Sequence, residues 1–67
     1  MTNEKMLREI INSKGIKLKF IASKLGITYQ GFLAKLQNVH DFRQNEIRII
    51  TEVLGLTNRQ RDDIFFG

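Results

Sequence analysis

Apolar residues recur at helical spacing along the chain, and no segment alternates with the two-residue period of a strand. The first predicted helix begins after a cap at Asn3 or Thr2 and stops at Gly15, a natural left-handed end. Its apolar stripe consists of Met6, Leu7, Ile10 and Ile11. The chain therefore opens with an amphipathic helix.

Two further short helices are predicted on either side of Gly26. The second carries an apolar stripe of Leu18, Ile21, Ala22 and Leu25. The third begins after a cap at Thr28 and runs to about Gln37. Its inward anchors are Ile27, Phe32 and Leu36.

A fourth helix follows the loop and closes at Gly55. Phe42 precedes it at the position from which a side chain packs onto Ile47, and Glu46 stands where a capping glutamate would. The buried stripe is Ile47, Ile50, Val53 and Leu54.

A capping box of Thr57 and Gln60 opens a last short helix. Phe65 and Phe66 close it, and each is either a lid on the core or an exposed patch for a second copy. We expect one ring in each role. The prediction is an all-α fold of five short helices in a single domain, residues 1–67.

Composition narrows the function classes. A chain of 67 residues buries only about 60% of its unfolded surface, so one modest core is expected. Without cysteine, no disulfide or thiolate metal site supports the fold, and a reducing compartment such as the cytoplasm fits. Apolar runs fall far short of the roughly 20 residues that span a bilayer, and the polar start lacks a signal peptide's apolar core. We therefore expect a cytoplasmic protein with no membrane partner.

Positive charge is concentrated in the middle of the chain. Six basic residues lie within residues 14–43, against the single acidic Asp41, while the net charge of the whole chain is +4. Such clustering suggests a polyanionic partner.

The joint between the second and third helices has a distinctive pattern. A steep turn requires a residue that tolerates positive φ, and a close crossing requires a small side chain. Gly26 and Ala22 meet these demands, four residues apart. Ile27 in the turn, with Phe32 and Leu36 in the next helix, fills the core behind the joint.

These residues resemble the Cro/CI-type (Xre-like) helix-turn-helix regulators of phages and mobile elements. The resemblance is carried by "GIKLKFIASKLGITYQGFLAKL" (15–36), supported by "EIRIITEVLGLT" (46–57). It implies a compact five-helix lambda-repressor-like domain with its helix-turn-helix at about 17–37. The third helix would enter the major groove of operator DNA, usually in a dimer. Lys17 and Leu18 replace the family's usual Thr-Gln pair, and Arg43 occupies the cap of the fourth helix.

On this resemblance the base-reading residues come from the outward face of the third helix. With Phe32 and Leu36 inward, that face contains Gln30, Ala34 and Gln37, with Tyr29 and Leu33 on one flank, and these five are the base-reading candidates. A glutamine pairs with adenine and apolar side chains meet the thymine methyl, which favours an operator with A·T steps. Gly31 either lets the backbone approach DNA or the second helix closely, or is simply tolerated.

Candidate phosphate contacts flank the same helix. They are Lys17, Lys19, Thr28, Lys35, Asn38, His40 and Arg43. The alternative for the lysines is a solvated helix face, for Tyr29 a half-buried core ring, and for His40 an exposed loop side chain. No ligand set for a metal accompanies the lone histidine.

Two functions remain in view. No nucleophile, base or phosphate loop has recognisable spacing, so we expect neither an enzyme nor a cofactor nor a small-molecule substrate. The first function is a sequence-specific double-stranded DNA-binding regulator, a Cro-like repressor that is a weak or DNA-induced homodimer. The alternative is a protein-interaction module, antitoxin-like or anti-repressor, which an exposed Leu33 would favour. The charge around the third helix favours the first.

Overall fold

The computed structural model describes all 67 residues and contains five helices and no strand. The helices are α1 (Glu4–Ser13), α2 (Leu18–Leu25), α3 (Tyr29–Leu36), α4 (Gln44–Leu54) and α5 (Asn58–Phe65). The predicted number and order of helices are confirmed. None of these helices combines the length and hydrophobicity needed to cross a bilayer.

Side-chain caps begin three of the five helices. Asn3, Thr28 and Thr57 each accept, with a side-chain oxygen, a hydrogen bond of 3.0–3.1 Å from the amide three residues later. Asn3 and not Thr2 is thus the cap of α1. The Thr57 amide also donates to Gln60 Oε1 over 3.0 Å, which confirms the predicted capping box.

The ends of α2 and α3 use the same left-handed device with different residues. Gly26 ends α2 at φ 70°, and the Ile27 amide returns to the Ala22 carbonyl over 3.1 Å. Asn38 ends α3 at φ 62°, and the Val39 amide returns to the Ala34 carbonyl over 2.9 Å. Asparagine tolerates this conformation better than most residues, so no glycine is needed after α3.

The core draws on every helix and on the two loops beside α4. Its 13 buried apolar side chains are Leu7, Ile11, Ile21, Ala22, Phe32, Leu36, Phe42, Ile47, Ile50, Leu54, Leu56, Ile64 and Phe65. Helix α2 packs against both α3 and α4, whereas α5 packs against α1 and α4. Among the helices, α2 is therefore the main packing partner of α3.

Phe65 and Phe66 divide as expected. Phe65 is buried in the core, while Phe66 is 63% exposed. The lid is confirmed, and a role for Phe66 in contacting a second copy stays a prediction.

The residues before α1 are tied to distant parts of the chain. The Thr2 amide donates to Asn38 Oδ1 over 2.8 Å, and Asn38 Nδ2 donates to the Thr2 carbonyl over 2.9 Å. The Asn3 amide donates to the Ile64 carbonyl over 2.7 Å. Asn38 therefore both ends α3 and holds the start of the chain.

Substitutions at Asn38 separate these two roles. Asn38→Gly keeps the left-handed backbone but loses the two bonds to Thr2, so we expect about 1–2 kcal/mol less stability. Asn38→Ala also strains the backbone and should lose about 1 kcal/mol more. Urea unfolding followed by circular dichroism measures both. Equal losses in the two variants would show that the backbone conformation is not limiting.

Candidate nucleic-acid interface

The joint between α2 and α3 is built as its residues predict. Ala22, Phe32 and Leu36 are buried, and Ile27 in the three-residue turn packs against the core. Because Phe32 and Leu36 point inward, the opposite side of α3 is left to solvent. The five residues assigned to the turn and core of the joint are confirmed in those positions.

The outward side of α3 is more polar than the sequence alone indicates. Gln30 and Gln37 are exposed, whereas Tyr29, Leu33 and Ala34 are half-buried. Leu33 packs against the core, so it offers less surface to a partner than expected. The two glutamines are the side chains of this set that are fully open to solvent.

Tyr29, the first residue of α3, is contacted by a lysine near the start of α2. The ammonium nitrogen of Lys19 lies 5.7 Å from the centre of its ring, within the range of a cation–π contact. The ring is half-buried but does not belong to the apolar core. Lys19 and Tyr29 thereby bring the beginnings of the two helices together.

Gly31 has a local explanation. A methyl group there would lie 3.1 Å from the Thr28 hydroxyl oxygen, which itself caps α3 by accepting the Gly31 amide. No atom of α2 lies within 4 Å of that position, so the expected close approach to the second helix is wrong. The approach to DNA stays a prediction.

Most cations in the middle of the chain have no carboxylate partner. Five of the 11 lysines and arginines form ion pairs: Arg8, Lys35, Arg48, Arg59 and Arg61. Of the remaining six, only Lys5 lies outside residues 14–43. We call the other five the free cations: Lys14, Lys17, Lys19, Lys24 and Arg43.

Lys35 has a different role from the one expected. Its ammonium lies 2.5 Å from Glu46 Oε1, and the two side chains are only 15% and 5% exposed. The pair joins the last part of α3 to the start of α4. The phosphate contact expected of Lys35 stays a prediction; in this structure its charge is compensated and largely withdrawn from solvent.

Glu46 is the charged group most strongly affected by its surroundings. Burial alone raises the pKa of its carboxyl. The Arg43 amide, which donates to Oε1 over 2.8 Å, and the Lys35 ammonium together outweigh burial and hold the pKa below its usual value of 4.5. Sequence spacing identified the capping position of Glu46 but not its pairing with Lys35.

Helices α2 and α4 begin at Lys17 and Arg43, and neither has a side-chain cap. Ammonium and guanidinium groups have no acceptor, so they cannot take up the first amides, and a cation is electrostatically unfavourable at a helix N-terminus. In α4 the Glu46 carboxylate supplies half of a capping box. An anion bound beside Lys17 or Arg43 would accept hydrogen bonds from the first amides of that helix and would compensate the cation at its N-terminus.

The other phosphate candidates differ in availability. Asn38 uses both its amide oxygen and its amide nitrogen on Thr2, and its expected phosphate contact stays a prediction. The Thr28 oxygen accepts a backbone bond, which leaves its hydroxyl proton to donate. His40 lies exposed in the loop after α3.

One exposed aromatic residue was missed. Phe20 on α2 is 49% exposed, and the ammonium of Lys24 lies 5.3 Å from its ring centre. Its position outside the apolar stripe of α2 was the available signal.

Comparison with known proteins adds no relative to these observations. No family model, curated protein or solved structure matches the chain. The function of the chain is therefore inferred from the arrangement of its own residues.

The pair of Lys35 and Glu46 predicts a specific dependence of stability on pH. Since the pKa of folded Glu46 is lowered, its contribution is complete above the unfolded value of 4.5 and is lost as pH falls through the folded value. We expect Glu46→Gln to cost about 2 kcal/mol at pH 7. The difference from wild type should narrow below about pH 4.5, measured by urea unfolding at each pH.

Glu9→Gln is the matched control, because Glu9 is exposed and lies outside every ion pair. It should leave stability at pH 7 within about 0.5 kcal/mol of wild type. If Glu46→Gln behaved like this control, the ion pair would carry no stability.

Proposed function

We propose that the chain is a sequence-specific double-stranded DNA-binding transcription regulator, a Cro-like repressor with a lambda-repressor-like helix-turn-helix and no enzymatic activity. The observation that carries the proposal is the separation of charge. Five of the six unpaired cations lie within residues 14–43, whereas the basic residues of α4 and α5 are paired with acids of their own helices. When unpaired cations contact phosphates, the counterions condensed on the DNA are released, and this release drives binding.

Side-chain contacts support a single face around α3. Lys19 of α2 forms a cation–π contact with Tyr29 at the start of α3. Lys35 near the end of α3 forms an ion pair with Glu46 of α4, which also accepts a hydrogen bond from the Arg43 amide. Cations from the starts of α2 and α4 thereby flank the third helix on two sides. We propose that α3 enters the major groove, which is about 12 Å wide and accepts a helix of 10–12 Å.

Within this arrangement Gln30 and Gln37 read base edges, because they are the exposed polar residues of α3. A glutamine can bond adenine through two atoms, and Ala34 offers a methyl group to thymine. Tyr29 contributes a ring and one hydroxyl. Phosphates are contacted by Lys17, Lys19 and Arg43, with Thr28 and His40 as further hydrogen-bond donors.

The proposed mode of action is occupancy. A repressor of this kind covers its operator in the bacterial cytoplasm and blocks polymerase, acting as a weak or DNA-induced homodimer. Two half-sites then double the contacts made by one small face.

A protein-interaction module is the second candidate. The exposed ring of Phe20, with Lys24 beside it, is the observation that favours it. Leu33, which favoured this function in the sequence, packs against the core and no longer does so.

A salt titration of binding to random duplex DNA tests the proposal. If Lys17, Lys19 and Arg43 each contact a phosphate, the logarithm of affinity should fall with that of salt at a slope near −3. Arg43→Gln should reduce the slope by about 1. Arg59→Gln removes the same charge from an exposed side chain of α5 and should leave the slope unchanged.

Either of two results would contradict the proposal. Absence of binding at low salt would direct attention to a protein partner that contacts Phe20. Equal effects of Arg43→Gln and Arg59→Gln would mean that binding follows net charge rather than a defined face.

Base reading is tested separately, after an operator has been selected from random sequences. Gln30→Ala should weaken binding to that operator by about 1–3 kcal/mol and leave binding to random duplex nearly unchanged. Asn12→Ala on the exposed side of α1 is the control and should change neither affinity. Equal losses on both DNAs would exclude a base contact by Gln30.

A further inference from the structure

An exposed aromatic ring stands between two surface concavities. One lies between α4 and α5, and the other lies beside the start of the chain and the loop before α4. Phe66 and Ile47 border both. Because Phe66 is 63% exposed, this surface offers both a projecting ring and the hollows that could receive one.

The charges around Phe66 compensate one another. Arg48 pairs with Glu52 over 3.2 Å, and Arg61 pairs with Asp62 over 2.8 Å. We call this surface the neutral face, defined by Ile47, Arg48, Glu52, Arg61, Asp62 and Phe66. It differs from residues 14–43, where five of the six cations have no acidic partner.

The charge distribution selects a second copy as the occupant. Two chains of net charge +4 repel each other, and contact between their free cations would increase that repulsion. A strongly acidic or basic partner finds no net charge to attract it at the neutral face. A second copy meets less of that repulsion there and finds complementary charges, as a two-fold interface requires.

Helix α4 supplies the complementarity. Arg48 and Glu52 lie one turn apart and are 64% and 65% exposed. If two α4 helices meet antiparallel about a two-fold axis, Arg48 of each faces Glu52 of the other. Phe66 and Ile47 border the hollow beside Arg48 and Glu52, so a contact through this side of α4 includes the exposed ring.

We propose that the neutral face is the surface on which two copies associate, with Phe66 as its apolar anchor. This rests on the proposed function in one respect, since it names where a two-copy regulator would meet. The whole chain exposes 4449 Å², so a standard interface of about 800 Å² per partner would cover nearly a fifth of it. One ring and two shallow hollows cover less, and association is weak, with a dissociation constant of about 0.1–1 mM.

Sedimentation without DNA, at protein concentrations up to about 1 mM, tests this surface. Wild type should dimerise, and Phe66→Ser should weaken dimerisation by about tenfold or more. Phe20→Ser is the matched control, an equally large apolar-to-polar change on an exposed ring of α2, and should change dimerisation less than about twofold. Circular dichroism and urea unfolding establish that both variants are folded.

Charge exchange gives an independent test in the same assay. Arg48→Glu leaves an acid at both position 48 and position 52, and Glu52→Arg leaves a base at both, so each variant alone should dimerise several-fold more weakly than wild type. An equimolar mixture should form heterodimers, because each face then meets its opposite. An unrelated interface would give no preference for the mixture.

A wild-type chain that is monomeric at about 1 mM would overturn the inference, as would equal effects of Phe66→Ser and Phe20→Ser. These outcomes leave the proposed function intact, because binding of one copy to a short random duplex is measured separately and does not involve Phe66. Conversely, dimers that fail to bind DNA would contradict the proposed function and retain this interface.

Discussion

Phe42 lies in a loop, yet the placement of α3 depends on it. Its ring packs edge-on against Phe32 of α3, with centres 6.0 Å apart, and against Phe65 of α5, with centres 5.6 Å apart. Helices this short are unstable alone in water, so contacts between elements maintain them. The outward set of α3 residues is therefore defined by an aromatic contact on its inward side.

Many of the polar side chains of this protein serve the ends of its helices. With helices of eight to eleven residues, the unpaired amides and carbonyls of the ends are a large share of each backbone. Three starts satisfy themselves with an asparagine or threonine, and the two without such a cap carry Lys17 and Arg43. A helix N-terminus that has no side-chain cap and carries a cation suits an anionic ligand. The chemistry of these two helix ends therefore bears on the candidate interface.

Local spacing was sufficient to predict the five helices, because apolar periodicity, caps and glycines act within a few residues. The same reasoning could not predict that Lys35 pairs with Glu46, since the contact depends on how α3 and α4 lie relative to each other. It likewise missed the contact of Asn38 with Thr2, which are 36 residues apart. Two of the phosphate candidates, Lys35 and Asn38, thus have side chains that form tertiary contacts in the structure. The exposure of Phe20, by contrast, could have been predicted from its position outside the apolar stripe of α2.

The bonds from Thr2 to Asn38 and from Asn3 to Ile64 have a consequence for cooperativity. Helical proteins rich in local contacts can open one element at a time, and terminal helices usually open first. Here the residues that precede α1 hold the end of α3 and the last turn of α5 together. Detaching α1 would expose polar groups on both, so amides in the first helix should exchange with solvent only when the whole domain unfolds.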